Sequence, residues 1–188
     1  MNIRWRAGLA MAAALLFLAS SSFVAARAVS ATDEAEVRSR LEQAFQQLRA
    51  GDYNALYEAL PSSSQRRIPR ERFITALERT RGMYELDRLQ IGAMRVSGNL
   101  AAVDTVVYGR VRQPVATEGK IVVRQYLMRE DGQWRVATAD RSTIRRLLAG
   151  NPTLARRFPP SEPRIYIKRD GRWMDIGSLS AARRHMQQ

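Results

Sequence analysis

Residues 84–136, which read YELDRLQIGAMRVSGNLAAVDTVVYGRVRQPVATEGKIVVRQYLMREDGQWRV, decide the fold of this chain. Apolar and polar residues alternate along most of this stretch, and a period of two is typical of half-buried β-strands. The segments SGN at residues 97–99 and DG at residues 131–132 interrupt the alternation with residues that favour tight turns. The stretch therefore predicts four strands of an antiparallel sheet, each following its neighbour along the chain.

The second predicted strand indicates which side of the sheet is apolar. Its alternation places Val103, Thr105, Val107 and Val111 on one face, and Asp104, Val106, Tyr108 and Arg110 on the other. The first of these faces is the more apolar one, so it is the better candidate for the core. In the preceding strand the alternation slips by one residue at Gly92-Ala93, which predicts a β-bulge.

Three helices are predicted before the strands. The first has Thr32 as its N-cap and ends at Gly51, and the second begins at Asp52. Residues 62–65 are predicted as a polar loop, and the third helix has Pro69 as its first residue. Because neither helices nor a sheet can bury an apolar side alone, we expect the helices to cover one face of the sheet in an α+β fold.

The part of the chain from residue 141 onward is a basic extension. It carries 11 of the 31 basic residues but only 3 of the 18 acidic ones. A basic helix is predicted over residues 142–149, a stiff linker (PPSEP) over residues 159–163, and a second hairpin over residues 164–176. Since an isolated hairpin is only marginally stable, we expect it to dock on the main sheet edge or on a partner. A last basic helix is predicted over residues 178–186.

The N-terminal 28 residues have the layout of a secretory signal. A positive start (MNIRWR) precedes the apolar run AGLAMAAALLFLA and a small-residue stretch ending in Ala-Arg-Ala at residues 26–28. We expect cleavage near Val29 and a periplasmic or secreted protein. The alternative is an uncleaved inner-membrane anchor at residues 8–26, a run of 19 uncharged residues. The rest of the chain divides into one domain over residues 29–140 and the extension over residues 141–188.

Part of this amino-acid sequence is similar to that of a known superfamily. RAGDY at residues 49–53, ALYEAL at 55–60 and IPRERF at 68–73 precede the strands, and REDGQWRV at 129–136 ends them. Residues 33–139 thereby resemble the NTF2-like (cystatin-like cone) superfamily, and in particular its exported accessory modules, such as those that precede transpeptidase domains. The resemblance implies helices packed on a curved sheet around a cone-shaped pocket. It implies no single activity, because this fold hosts many functions.

The implied cone pocket would be lined by the first and third helices and by the concave strand face. The ligand-pocket candidates are Phe45, Tyr53, Tyr57, Phe73, Tyr108, Tyr126, Met128 and Trp134. The alternative is that these side chains pack the core, because aromatic residues bury large areas with or without a ligand.

Enzymes of this superfamily use an acid–base residue in the pocket, usually Asp or His beside a Tyr. The single histidine, His185, lies close to the C-terminus and is expected to be solvated. Asp104 and Tyr108 share one strand face, so Asp104 becomes a general-base candidate if that face is concave. If the face is convex, Asp104 is a surface carboxylate paired with Arg110 or Arg124.

The amino-acid composition limits the kinds of ligand and partner that the protein is expected to bind. The chain has no cysteine and no histidine cluster, so we expect neither a metal site nor a cofactor. Anion contacts to envelope polymers or lipids are expected from the extension, through Arg141, Arg145, Arg146, Arg156 and Arg157. Nucleic acid is a poor partner for an exported protein.

The sequence therefore favours an exported, non-enzymatic binding or accessory module that engages an envelope component, an anionic surface or a protein partner. One alternative is a small-molecule enzyme or carrier that uses the cone pocket with Asp104 and Tyr108. The other is a structural module that oligomerises, for example as a homodimer.

Overall fold

The computed structural model describes residues 21–113, 116–137 and 141–176. The charged start and apolar run of the predicted signal lie outside these ranges, as does the predicted helix over residues 178–186. Among the described residues, no helix is both long enough and apolar enough to cross a membrane.

In the described part of the chain, four helices precede the sheet: α1 (Ser21–Ala50), α2 (Tyr53–Glu58), α3 (Ser62–Gln65) and α4 (Arg70–Arg81). The predicted end of α1 at Gly51 is confirmed. Gly51 has a φ of +78°, and the N–H of Asp52 donates to Gln47 O at 2.9 Å, which is the Schellman pattern. The Asp52 carboxylate then caps α2 by accepting a hydrogen bond from the N–H of Ala55 at 3.1 Å.

Three predicted helix boundaries are wrong. Thr32 is not an N-cap, because α1 already runs from Ser21 and no Gly or Pro interrupts residues 21–31. Residues 62–65 are a single helical turn rather than a loop, since the Glu130 carboxylate accepts the free N–H of Ser62 at 2.9 Å. Pro69 is the N-cap of α4 and not its first residue, because its ψ of 140° is extended.

The described strands are β1 (Tyr84–Ser97), β2 (Leu100–Val111), β3 (Thr117–Glu130), β4 (Gln133–Val136), β5 (Arg164–Arg169) and β6 (Arg172–Asp175). They form one antiparallel sheet in the order β1-β2-β3-β5-β6, and β4 pairs with the C-terminal part of β3. The predicted bulge lies between Ile91 and Met94. Asp131 and Gly132 both have positive φ, as a tight hairpin turn requires. The predicted α+β fold is confirmed.

Helix α1 packs on one face of the sheet, which we call the inner face. The core on this side contains Val37, Leu41, Ala101, Val103, Leu127 and Trp134. Thr105 continues the inner face of β2, and its buried hydroxyl donates to Val123 O at 2.9 Å. The prediction that the Val103 side of β2 is the core side is therefore confirmed.

The opposite face, which we call the outer face, carries a second core. Helices α5 (Arg141–Ala149) and α6 (Pro152–Arg157) cover one end of it. This outer core contains Leu100, Ala102, Tyr126, Ile144, Leu148, Leu154 and Phe158. The β5–β6 hairpin joins the sheet through β3, where Ile165 pairs with Ile121. The hairpin thus docks on the sheet edge, the first of the two predicted alternatives.

Candidate functional site on the outer face

Asp104 is held by an arginine on the outer face. It lies in register with Arg124 of β3, whose Nε donates to Oδ1 at 2.7 Å and whose Nη2 donates to Oδ2 at 3.1 Å. This bidentate pair raises the pKa of the Arg124 guanidinium, mainly through the hydrogen bond to Asp104. Because α1 covers the other face, Asp104 does not point toward the helix that was expected to line the pocket. The arrangement is the second alternative from the sequence, a carboxylate paired with Arg124.

Arg124 and Tyr126 also fasten the extension to the sheet. Arg124 Nη1 donates to Pro159 O at 2.9 Å, and its guanidinium lies 5.1 Å from the centre of the Phe158 ring. The Tyr126 hydroxyl donates to Phe158 O at 2.9 Å. Burial raises the pKa of Tyr126, although the charge of Arg124 opposes the shift. The polar groups of this region therefore anchor the C-terminal segment.

The eight predicted pocket residues do not line a single pocket. Tyr108 pairs with Lys120, Tyr126 with Ala102, and Met128 with Leu100, so these three candidates lie on the outer face. The prediction that they point into a cone beside the helices is wrong. Strand alternation shows which residues share a face, but it does not show which face a helix covers.

The remaining pocket candidates are buried or half-buried on the helical side of the molecule: Phe45, Tyr53, Tyr57, Phe73 and Trp134. The Tyr57 hydroxyl lies 2.9 Å from Gln65 O and 2.8 Å from Ile68 O, so its one proton is donated to either carbonyl. Its ring meets Phe73 edge-on, with the ring centres 5.6 Å apart. Burial is the largest cause of a raised pKa at Tyr53. These contacts correspond to the core-packing alternative.

The predicted anion contacts of the extension lie on the solvent side of α5 and α6. Arg145, Arg146, Arg156 and Arg157 are exposed, and we call them the arginine face. None of the four forms an ion pair with a residue that the structure describes. Arg141 begins α5, and its side chain lies outside the described part.

Sequence reasoning missed a row of side chains that crosses the open end of the outer face. Arg88 pairs with Tyr108, Tyr108 with Lys120, and Lys120 with Tyr166, so four strands contribute one residue each. The Arg88 guanidinium lies 3.7 Å from the centre of the Tyr108 ring. The Lys120 ammonium lies 4.5 Å from the Trp173 ring centre and 5.2 Å from that of Tyr166. We call these five residues the outer-face row. Alternation placed Tyr108 on its face, but no local signal gives the register between strands.

Two surface clefts adjoin these elements. One, of about 350 Å³, has Arg88, Tyr108 and Trp173 in its lining and so opens beside the outer-face row. The other, of about 580 Å³, lies between α1 and the turn at residues 131–132. Within the described ranges, no group of three His, Asp or Glu residues is placed to hold a metal ion.

No protein-family model matches the chain, and no curated protein matches it significantly. An NTF2-like protein with a cystatin-like fold from Novosphingobium aromaticivorans is 17% identical, with 66% of this chain and 94% of that chain covered and a TM-score of 0.45. An NTF2-like protein of unknown function from Pseudomonas putida is 19% identical, with coverages of 57% and 83% and a TM-score of 0.40. An LEH-like epoxide hydrolase from Mycobacterium tuberculosis is 16% identical, with coverages of 65% and 97% and a TM-score of 0.37.

Proteins described as NTF2-like are thus among the solved structures that this chain is similar to, as the sequence resemblance led us to expect. At these identities and TM-scores the likeness concerns overall fold alone. It transfers no activity, ligand or residue role to this chain.

Proposed function

We propose that this protein is an exported, non-enzymatic binding module whose arginine face engages an anionic component of the cell envelope. The observation that carries the proposal is the arginine face itself. It gathers four exposed guanidinium groups on two consecutive helices, without a described carboxylate to neutralise them.

The packing of α5 and α6 supports this role because it holds the basic sides of both helices toward solvent. Ile144 and Leu148 of α5 and Leu154 of α6 are buried in the outer core, so the helices cannot turn their arginines inward without losing that burial. Exposed positive groups attract anionic polymers and lipids at distances up to about one Debye length. At contact, a guanidinium group binds a phosphate or carboxylate group through two hydrogen bonds.

Removal of the predicted signal is compatible with the observed fold. Cleavage after Ala28 would cut inside α1, upstream of Val37 in the inner core. It would also leave the ion pair between Asp33 and Arg129, at 2.8 Å, in the mature chain. We therefore propose that the mature protein begins near Val29 and acts outside the cytoplasm, which Edman sequencing of the protein from periplasmic and secreted fractions tests.

Co-sedimentation tests the binding proposal. The full chain is mixed with phosphatidylglycerol vesicles, with phosphatidylcholine vesicles and with washed envelope material, over a series of NaCl concentrations. We expect binding to the anionic vesicles and to the envelope material that weakens as salt rises, because exposed charges are screened. Gln at all four positions of the arginine face should lower the bound fraction severalfold.

A matched variant separates the arginine face from net charge alone. Arg38, Arg72, Arg79 and Arg95 are also exposed, form no ion pair within the described ranges, and lie on other elements. Gln at these four positions removes the same charge and should change binding little. Equal losses in the two variants, or no loss in either, would contradict the role of the arginine face.

A further inference from the structure

We infer that the outer-face row binds an acidic polysaccharide, with the sugar carboxylates on Arg88 and Lys120 and the sugar rings against Tyr108, Tyr166 and Trp173. This inference rests on the proposed function, since it names the class of anionic envelope component and a site for it.

No described carboxylate neutralises the two cations of the row, whereas two cations of the neighbouring hairpin are already paired. Lys168 is bound to Glu118 at 2.9 and 3.1 Å, and Arg164 is bound to Asp175 at 3.0 Å. By contrast, neither Arg88 nor Lys120 forms an ion pair with a residue in the described ranges. A ligand that brings carboxylates therefore has both cations of the row to pair with, and Arg110, which lines the adjoining cleft and forms no ion pair with a described residue, adds a third.

Aromatic neighbours hold both cations before any ligand arrives. Arg88 stacks on Tyr108, and Lys120 lies against both Trp173 and Tyr166. Such cation–π contacts restrict long side chains that otherwise sample many rotamers. Binding then costs less conformational entropy, because the side chains are already ordered.

The spacing of the cations favours a sugar chain. Arg88 is on β1 and Lys120 on β3, so two strand spacings, roughly 10 Å, separate their backbones. This is about the span of two linked sugar rings.

The surface beside the row has the shape and chemistry that a sugar ring needs. Trp173 is 37% exposed despite its size, and it lines the cleft of about 350 Å³ together with Arg88 and Tyr108. Aromatic side chains pair an apolar body with a polar tip, which suits a ring that carries both C–H and O–H groups. The arginine face lies on the same side of the sheet, so a long anionic chain could contact both surfaces.

One carboxylate opposes the proposed ligand. Asp87 lies next to Arg88 in the lining of the cleft and forms no ion pair with a described residue. The other acidic side chains there are occupied, Glu85 by Arg112 and Glu118 by Lys168. Asp87→Asn should therefore tighten binding of an acidic sugar chain, whereas a neutral sugar chain should not respond to it.

Isothermal titration calorimetry of the full chain with short oligogalacturonates tests the inference. We expect binding of the acidic oligomer and none of a neutral malto-oligosaccharide of similar length. Gln at both Arg88 and Lys120 should weaken binding about tenfold or more, since two charge-assisted contacts are lost. Arg95→Gln is the matched control on the same face, since Arg95 is exposed, lies farther along β1 than Arg88 and forms no ion pair within the described ranges, and it should change affinity less than about twofold.

A second pair of variants distinguishes a loss of binding from a loss of folding. Trp173→Leu removes an exposed ring from the row and should weaken binding, and circular dichroism should show an unchanged fold. Trp134→Leu removes a ring from the inner core, and it should lower thermal stability while sparing affinity in the folded fraction.

Three results would overturn the inference. The first is unchanged oligogalacturonate affinity in the Arg88 and Lys120 variant. If the arginine-face variant still loses envelope binding in that case, the proposed function stands, and if neither variant matters, both fail. The second is tighter binding of polyuridylate or phosphatidylglycerol vesicles at the row. The third is a dimer, seen by sedimentation, that the row variants dissociate.

Discussion

Gly109 shows how one residue controls the alignment of two strands. A Cβ at this position would lie 2.3 Å from Glu85 O, a distance that no side chain tolerates. The register of β1 and β2 shifts just beyond this point, between Leu86 and Arg88. This shift places Arg88 opposite Tyr108 on the outer face. The close approach of the two strands at Gly109 therefore lies directly beside the contact between Arg88 and Tyr108.

Gly109→Ala should therefore destabilise the protein by about 1–3 kcal/mol, because the added methyl group forces the two strands apart. Gly82→Ala is the control, since a Cβ at Gly82 meets nothing within 4 Å and its φ of −76° suits alanine. Urea denaturation should show unchanged or slightly raised stability for the control. Similar losses for both variants would mean that the close contact at Gly109 does not matter.

Glu85 gives a pH dependence at the same end of the sheet. Arg112 Nη2 donates to its carboxylate at 2.9 Å, and this hydrogen bond, together with the charges of Arg112, Arg110 and Arg49, lowers the pKa of Glu85. A carboxylate with a lowered pKa stabilises the folded state above its unfolded pKa, near 4.3. The contribution is lost as the pH falls through the folded pKa.

Glu85→Gln should accordingly lower the melting temperature at pH 7, and the difference from the parent should shrink toward zero as the pH falls to about 3. Glu42→Gln, on the exposed side of α1, serves as the charge-matched control and should change the melting temperature little at pH 7. Differential scanning calorimetry across the pH series measures both. A difference that stays constant with pH would rule out the carboxylate as its cause.

At the scale of elements, the extension and the sheet hold each other in place. The apolar sides of α5 and α6 bury Leu100, Ala102 and Tyr126 on the outer face. The pair of Asp104 with Arg124 then orients the guanidinium whose remaining nitrogen binds Pro159 O. Asp104 is therefore a positioning residue for the segment that follows α6.

Asp104→Asn should lower the free energy of unfolding by about 1–2 kcal/mol, because Arg124 loses its charged partner while staying partly buried. Hydrogen exchange should be faster at the amide of Phe158, which donates to Leu154 O at 2.7 Å, while the amides of β1 should be unaffected. Glu78→Gln, at an exposed position of α4 without a described ion pair, is the control and should be neutral. If turnover of a small substrate were found and lost in Asp104→Asn while exchange at the Phe158 amide stayed unchanged, the anchoring role would be wrong.

At the scale of the whole molecule, the sheet is a central layer with a core on each side. Helix α1 covers the inner face, and α5 with α6 covers one end of the outer face. The β5–β6 hairpin completes the edge of β3 that β4 leaves open. Loss of the extension would therefore remove the cover of one face and leave backbone groups of β3 unpaired.

A chain that ends at Asp140 should thus be less stable and prone to associate, with increased binding of an apolar dye and a larger sedimentation coefficient. A chain that ends at Ile176 keeps both cores and should behave like the full chain. Truncation therefore cannot isolate the binding role of the extension, whereas substitution of the arginine face can. A monomeric chain 1–140 of parent stability would show that the outer core is dispensable.

Several features of the fold could be predicted from the sequence because each depends only on neighbouring residues. The positive φ of Gly51, the cap at Asp52, and the turn at residues 131–132 each depend on a few adjacent residues, as does the bulge at residues 92–93. The start of α1 could not be predicted, because the helix extends from Thr32 back to Ser21 and no helix-breaking residue lies between them.

The sequence by itself determined the α+β class, the order of the elements and the residues that share each strand face, because these follow from covalent geometry and short-range periodicity. Only the tertiary structure decided which face α1 covers, where the hairpin docks, and that Asp104 meets Arg124. It also decided that Arg88, Tyr108, Lys120 and Tyr166 stand side by side, since pairing between distant strands depends on burial summed over the whole sheet rather than on any local pattern.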